Sequence, residues 1–248
     1  MVTLLFTEAL QIIHQVNFVK MNEERNEGGV LNDLDFQQKL HRRAFLRYTG
    51  IAVAASTVIT LDACKKDDDG VNFGSDDIAI LNYAYALEQL EAAFYTQVIS
   101  TPYSGISDAE KSLLTDVRDH EIAHREFFKA ALGSNAIQAL EVDFSSIDFT
   151  SRASVLGTAK TFEDLGVAAY NGAGQYIASA NYLLLAGKIV SVEARHAAYI
   201  RDLLSNGSFA DSSVVDSNGL EKSMKPRDVI SAASPFIKTK LNAGSLPA

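Results

Sequence analysis

The sequence predicts an all-α protein built on a four-helix bundle, and three observations support this prediction. Four long segments place apolar residues at steps of three and four, the spacing that brings side chains onto one face of a helix. Each of the four apolar stripes contains a glutamate. Turn signals make the connections short within the first and second pairs of helices but long between the pairs. The predicted helices cover residues 76–99, 107–132, 150–171 and 178–205.

In the first helix, a glutamate interrupts an otherwise largely apolar face. Leu81, Tyr85, Glu88, Ala92 and Tyr95 follow steps of four and three and form one stripe. A carboxylate in such a stripe is costly to bury without a partner, and a metal cation would supply that partner. Glu88 is therefore a candidate metal ligand.

A second glutamate of the same helix, Glu91, competes with Glu88 for this role. It lies about 60° around the helix, in a parallel apolar row. We prefer Glu88 because its seven-residue spacing to Tyr95 recurs between Glu163 and Tyr170. Glu91 remains a candidate as a group that supports the ligands or as an alternative ligand.

The other helices have recognisable ends. Ser107 and Glu110 form a Ser-x-x-Glu capping box at the start of the second helix, and Gly133 is a suitable residue to end it. Glycines also follow the third helix, and Asn206-Gly207 follows the fourth.

The lengths of the connections predict the topology. About seven residues join the first two helices and about six join the last two, so each pair should form an antiparallel hairpin. Residues 133–149 lie between the hairpins and can extend up to about 56 Å, enough to travel the length of a bundle. We therefore expect two antiparallel helix hairpins joined by a long crossover. A short helix from Pro226 to about Ile237 should pack against the bundle as a C-terminal extension.

Two Glu-x-x-His pairs are the most informative motifs in the chain. Residues three apart share a helix face, so each pair can direct a carboxylate and an imidazole at one point. With the lone glutamates of the first and third helices, they form the ligand set of a dinuclear metal site in a helix bundle. The alternative is that both histidines lie on the surface, each paired with a helical glutamate. The candidate ligands are Glu88, Glu121, His124, Glu163, Glu193 and His196.

The first helix also resembles a known family. Its segment Leu-Glu-Gln-Leu-Glu-Ala-Ala-Phe-Tyr, ending at Tyr95, is similar to the exported ferritin-like family grouped with desiccation-related proteins, and residues 76–206 resemble a ferritin-like domain. The resemblance implies a ferritin-like four-helix bundle in which helices one and three each give one glutamate and helices two and four each give a Glu-x-x-His pair. It also implies that Tyr95 lies beside the metals.

The ligand types favour a class of metal. Four carboxylates nearly neutralise two divalent cations, and oxygen ligands with two imidazoles suit iron or manganese, although zinc would also bind. We expect two iron ions, with two manganese ions as the alternative. Glu121 and Glu193 are the expected bridging ligands. Glu88 and Glu163 would each bind one ion, and the two histidines would complete the coordination.

Two tyrosines, Tyr95 and Tyr170, are candidate catalytic residues. They could donate hydrogen bonds to ligand carboxylates or act as transient electron donors. The alternative is that they are amphipathic residues of the core with ordinary hydrogen-bond partners.

Three functions fit these residues. The first is a di-iron oxidase of ferroxidase type, which acts with dioxygen or peroxide. The second is a dimanganese enzyme that dismutates peroxide, as manganese catalases do. The third is a non-catalytic envelope protein of stress or desiccation protection with a structural metal site. A rubrerythrin-type enzyme is excluded because the chain has one cysteine and so lacks a four-cysteine module.

Residues 42–64 resemble an export signal of the twin-arginine and lipoprotein type. Arg42-Arg43 is followed by an apolar stretch and by the tetrapeptide Leu-Asp-Ala-Cys, which ends at Cys64 and resembles a lipobox. We therefore expect an exported protein of the cell envelope, in the periplasm or as an outer-membrane lipoprotein that could face outward. It would contact the membrane only through a lipid on Cys64.

These signals divide the chain into five parts. An N-terminal extension of uncertain start precedes the signal, and a charged linker follows it. The bundle and a C-terminal extension make up the rest. The expected boundaries are 1–41, 42–64, 65–75, 76–206 and 207–248.

The composition limits other partners. The formal net charge of −9 argues against nucleic acid as a partner. A single cysteine excludes a disulfide within the chain. Metal ions and dioxygen or peroxide are therefore the expected partners, and the sequence leaves the oligomeric state open.

Overall fold

The computed structural model describes residues 70–248. The predicted N-terminal extension, the export signal with Cys64, and residues 65–69 of the charged linker lie outside the described residues. A two-stranded parallel sheet pairs β1 (Val71–Asn72) with β2 (Leu241–Asn242). The α-helices of this range are α1 (Asp76–Ser100), α2 (Asp108–Leu132), α3 (Arg152–Ala173), α4 (Ala180–Leu204) and α5 (Pro226–Ala233).

The four long helices form two hairpins, α1 with α2 and α3 with α4. Residues 101–107 and 174–179 make the short connections, and residues 133–151 make the crossover. The predicted all-α four-helix bundle is therefore confirmed. In residues 70–248, no helix combines the length and apolar character needed to cross a membrane.

Side-chain caps explain where three of the helices begin. The hydroxyl of Ser107 accepts a hydrogen bond from the backbone N–H of Glu110, which satisfies a donor that the first turn of α2 leaves free. The Glu110 carboxylate accepts hydrogen bonds from Arg152 at the start of α3. Ser151 and Ser179 cap α3 and α4 in the same way as Ser107 caps α2.

Helix α1 is the central helix, buried on nearly all sides along much of its length. Two polar residues on it serve the crossover. The side-chain amide of Asn82 donates to the backbone oxygen of Asn135 and accepts from the N–H of Ile137. Gln89 accepts from the N–H of Leu140. These bonds satisfy crossover backbone groups and hold the crossover against α1.

The C-terminal extension packs on the second hairpin. The N–H of Met224 donates to the backbone oxygen of Ala168 in α3, and the Phe236 ring packs edge-on against Phe162 at 4.8 Å. The predicted helix from Pro226 ends earlier than expected, at Ala233, and continues as a 3₁₀ turn. Pro235 explains the early end because it has no N–H to continue the α-helical pattern.

Candidate metal centre

All six predicted ligands converge inside the bundle. Glu88, Glu121, Glu163 and Glu193 are each 0% exposed. His196 is 5% exposed and the His124 side chain 13%. The residues come from the four long helices, so the site is formed only when both hairpins pack together.

The ligand atoms form two overlapping groups, each with atoms within 4.8 Å of one another. Both groups contain Glu121 and Glu193. Glu88 and His124 complete the first group, which we call position 1. Glu163 and His196 complete the second group, position 2. The two shared carboxylates therefore lie where bridging ligands between two ions would lie.

The spacing of these atoms fits coordination of an ion. Nδ1 of His124 lies 2.8 Å from Oε1 of Glu193 and 3.4 Å from Oε2 of Glu88. Nδ1 of His196 lies 2.8 Å from Oε1 of Glu121 and 3.5 Å from Oε2 of Glu163. Two ligand atoms at right angles around one ion, each about 2.1 Å from it, lie about 3 Å apart.

Hydrogen bonding does not account for this spacing. Within the described residues, several buried ligand atoms have no hydrogen-bond partner, although polar groups inside proteins are normally satisfied. Such atoms fit a centre that binds two cations. They are Glu88 Oε2, Glu163 Oε2, both oxygens of Glu121 and of Glu193, and Nδ1 of both histidines.

The two candidate tyrosines each contact a ligand on the opposite hairpin. The hydroxyl of Tyr95, on α1, donates to Oε1 of Glu163 at 2.5 Å. The hydroxyl of Tyr170, on α3, donates to Oε1 of Glu88. In both glutamates the tyrosine holds one oxygen and leaves the other, Oε2, facing the site. The tyrosines therefore orient the two non-bridging carboxylates.

Comparison with known proteins agrees with this arrangement. A family model described as a ferritin-like domain matches residues 76–206. The chain belongs to this family. The search of curated proteins found no match to this chain.

The buried charges of the ferritin-like domain shift each other's ionisation. Burial raises the pKa of Glu88 to about 7, against the lowering effect of His124. Burial and neighbouring carboxylates hold the pKa of Glu193 well above its usual range, and burial also raises that of Glu163. For Glu121, the raising effect of burial is outweighed by the nearby His124 and His196, which lower the pKa.

The histidines and tyrosines of the site shift in the matching direction. Burial lowers the pKa of His124 and His196, but Glu88 and Glu163 respectively outweigh it and hold both pKa values well above the usual range. Burial and nearby carboxylates raise the pKa of Tyr95 and Tyr170, so both hydroxyls keep their protons.

Glu91, predicted as a supporting group or an alternative ligand, lies next to the centre. It is 4% exposed, and burial and the charge of Glu193 raise its pKa well above the usual range. Gly166 makes room for it, because a Cβ at that position would lie 3.2 Å from Oε1 of Glu91 and 3.6 Å from Oε2 of Glu193. Glu91 is therefore a fifth carboxylate beside the ligands, and its role as a ligand stays a prediction.

One residue that the helix stripes did not select also reaches the centre. His120 is half-buried, and its Nδ1 lies 2.9 Å from Nε2 of His196. On an ideal helix it points about 100° away from Glu121, which places it off the inward stripe. Its position beside a Glu-x-x-His pair was the only sequence signal for this contact.

We expect the metal-free protein to lose stability as the pH rises from 5 to 8. Glu88 has a pKa of about 7 in the folded state against a usual value of 4.5, and Glu91, Glu163 and Glu193 shift in the same direction. Both histidines of the centre also bind protons more tightly when folded. The folded state then holds more protons than the unfolded state across this window, so the free energy of unfolding falls with rising pH.

Urea unfolding of metal-free protein at several pH values measures this trend. A free energy of unfolding that rises between pH 5 and 8 would contradict the expectation. Added divalent metal should stabilise more strongly at the higher pH, because the ions replace protons on the same atoms.

Proposed function

We propose that this ferritin-like protein binds two iron ions in its bundle and catalyses oxidation of ferroxidase type with dioxygen or peroxide. The observation that carries the proposal is the pair of overlapping ligand groups that share Glu121 and Glu193. A single structural ion would need only one such group. Two groups with common carboxylates fit a dinuclear centre.

The donor set supports iron. Carboxylate oxygens and imidazole nitrogens suit iron and manganese, and neither group contains a sulfur ligand. When bound, two ferrous ions would supply the two electrons that reduce dioxygen to hydrogen peroxide, or peroxide to water.

The chain's own residues prepare the centre for this chemistry. Tyr95 and Tyr170 keep their protons and direct Oε2 of Glu163 and Glu88 into the site. The surrounding core excludes bulk water, which strengthens every electrostatic interaction inside.

The proposal includes export. The twin-arginine pair and the lipobox-like tetrapeptide at Cys64 support transport across a membrane followed by lipidation. The tether from Cys64 to the first described residue, Gly70, is short and charged. Lipidation would therefore keep the bundle beside the membrane surface.

The metal content of Glu121→Gln tests the centre. Wild-type protein is expected to hold about two ions per chain, and the variant should hold one or fewer, because the change removes charge from a carboxylate shared by both positions. Elemental analysis of protein loaded with Fe(II) under anaerobic conditions gives the stoichiometry. Glu126→Gln on the exposed side of the same helix is the control and should load fully. Full loading of Glu121→Gln would refute the centre.

Activity assays on loaded protein then separate the candidate reactions. Oxidation of Fe(II) by dioxygen or peroxide supports the proposal. Disproportionation of peroxide by manganese-loaded protein, without Fe(II) oxidation, would replace it with the manganese-catalase-like function. Bound metal with neither activity would favour a structural role in envelope protection.

Removal of the Tyr95 hydroxyl should slow Fe(II) oxidation about 10-fold or more, since supporting hydrogen bonds typically matter by factors of 10–100. Tyr95→Phe leaves Oε1 of Glu163 without its donor. Tyr83→Phe is a matched control, because Tyr83 is a buried tyrosine of α1 whose hydroxyl has no hydrogen-bond partner in the described residues. Stopped-flow absorbance on equally loaded proteins compares the rates. Equal rates for Tyr95→Phe and wild type would remove Tyr95 from the mechanism.

Cys64→Ser tests the anchor. The wild-type protein expressed in a bacterium with a lipoprotein pathway should partition into the membrane fraction, and the variant should move to the soluble fraction of the envelope. Mass spectrometry of the purified protein detects the lipid on Cys64. A wild-type chain that keeps its N-terminal residues and remains in the cytoplasm would contradict export.

A further inference from the structure

The two hairpins contribute matching residues to the two positions. Each hairpin gives a glutamate, a tyrosine seven residues later, and a Glu-x-x-His pair. The matching extends to the contacts, since each tyrosine donates to the glutamate of the other hairpin. It fails at two positions beside the centre: Glu91, three residues after Glu88, is matched by Gly166, and the residue that precedes each Glu-x-x-His pair also differs. The matched residues are Glu88 and Glu163, Tyr95 and Tyr170, Glu121 and Glu193, His124 and His196, and finally His120 and Val192.

His120 makes a directed contact with a ligand of position 2. Its Nδ1 lies 2.9 Å from Nε2 of His196, and the two ring planes differ by only 9°. The ring centroids are 5.1 Å apart, much farther than the nitrogens, so the rings meet edge to edge. This arrangement points the nitrogen of one ring at the nitrogen of the other, as a hydrogen bond in the ring plane requires.

The direction of the hydrogen bond follows from the site. Nδ1 of His196 faces Glu121 and Glu163, on the side where an ion would bind. Coordination through Nδ1 requires its lone pair, so the proton of a neutral His196 sits on Nε2 and is donated to Nδ1 of His120. His120 thereby fixes the ring orientation of His196 before an ion arrives, and it accepts the proton that stays on Nε2 once Nδ1 of His196 gives up its own to bind the ion.

Position 1 lacks this support. The residue of α4 that matches His120 is Val192, whose hydrocarbon side chain cannot accept a hydrogen bond. The His124 side chain is 13% exposed, against 6% for His196. A histidine whose Nε2 has no fixed acceptor loses more rotamer freedom when it binds an ion.

We infer that the two metal positions are inequivalent, and that His120 is a positioning residue that makes position 2 (Glu163 and His196) the tighter and first-filled one. The inference rests on the proposed dinuclear centre and adds an order of loading to it. Partners of this kind typically change metal affinity 10–100-fold, which sets the expected difference between the two binding steps.

Metal titration of the full bundle tests the inference without any activity assay. Calorimetry with Mn(II), and with Fe(II) under anaerobic conditions, should resolve two steps in the wild type that differ 10–100-fold in dissociation constant. His120→Val should weaken the tight step by about that factor and bring the steps together. Val192→His, with His120 intact, should instead tighten the weak step.

The double variant, with His120→Val and Val192→His, is the sharpest control. It exchanges the two side chains and should restore two separate steps with the order of filling reversed. A crystal structure at one Mn(II) per chain locates the first ion by anomalous scattering. The ion is expected beside Glu163 and His196 in the wild type and beside Glu88 and His124 in the exchanged variant.

Several results would overturn the inference. Two equal steps in the wild type, a first ion at position 1, or equal weakening of both steps by His120→Val would each do so while leaving a dinuclear centre in place. If His120→Val does not fold, Val192→His alone still decides, because an unchanged weak step contradicts the inference. Absence of any bound metal would refute both the inference and the proposed function.

Discussion

Burial of negative charge at the middle of the bundle is the constraint on which the rest of the structure depends. Four carboxylates, one from each long helix, are completely removed from solvent. Each would cost several kcal/mol to bury as an unpaired ion. In the metal-free protein two protonated histidines offset part of this charge. Two divalent cations, which would bind the histidines in their neutral form, would balance all four carboxylates. Since the same ions would bind residues of all four helices, metal binding and the packing of the hairpins are one coupled equilibrium.

Residues that contact the ligands hold the buried carboxylates in a defined geometry. Each non-bridging glutamate is held by a tyrosine from the other hairpin, so the orientation of one hairpin fixes the ligands of its neighbour. Gly166 leaves the space in which a fifth carboxylate, Glu91, lies against the centre. The crossover packs against α1. The side chains of Asn82 and Gln89 on α1 satisfy backbone groups of the crossover. The centre therefore lies among the four long helices, and the crossover packs against one of them, α1.

Local regularities explain how much could be predicted from the sequence. The ligands lie on stripes with helical spacing, and a Glu-x-x-His pair shares a face by geometry alone, so residues such as Glu121 and His124 were accessible without any tertiary information. The partners across the two hairpins could not be predicted in this way. A bond from Tyr95 to some ligand carboxylate was anticipated, but its partner Glu163, and the contact of His120 with His196, depend on how the hairpins pack, which periodicity does not encode. The order of the helices was predictable because loop length restricts it.

The same division between local pattern and tertiary contact would let a symmetric motif build the asymmetric centre that we infer. The motif determines which atoms face the ions, and the two hairpins contribute matching ligand atoms. The groups that contact the far side of the ligands come from residues outside the motif, such as His120 on α2 and Val192 on α4. By our inference, the difference between His120 and Val192 separates the two positions, because a histidine ligand needs its second nitrogen satisfied as well as its first. By this inference, an ion held tightly at one position would keep the shared carboxylates in place while the other position exchanged its ion, as a centre in which one metal turns over would require.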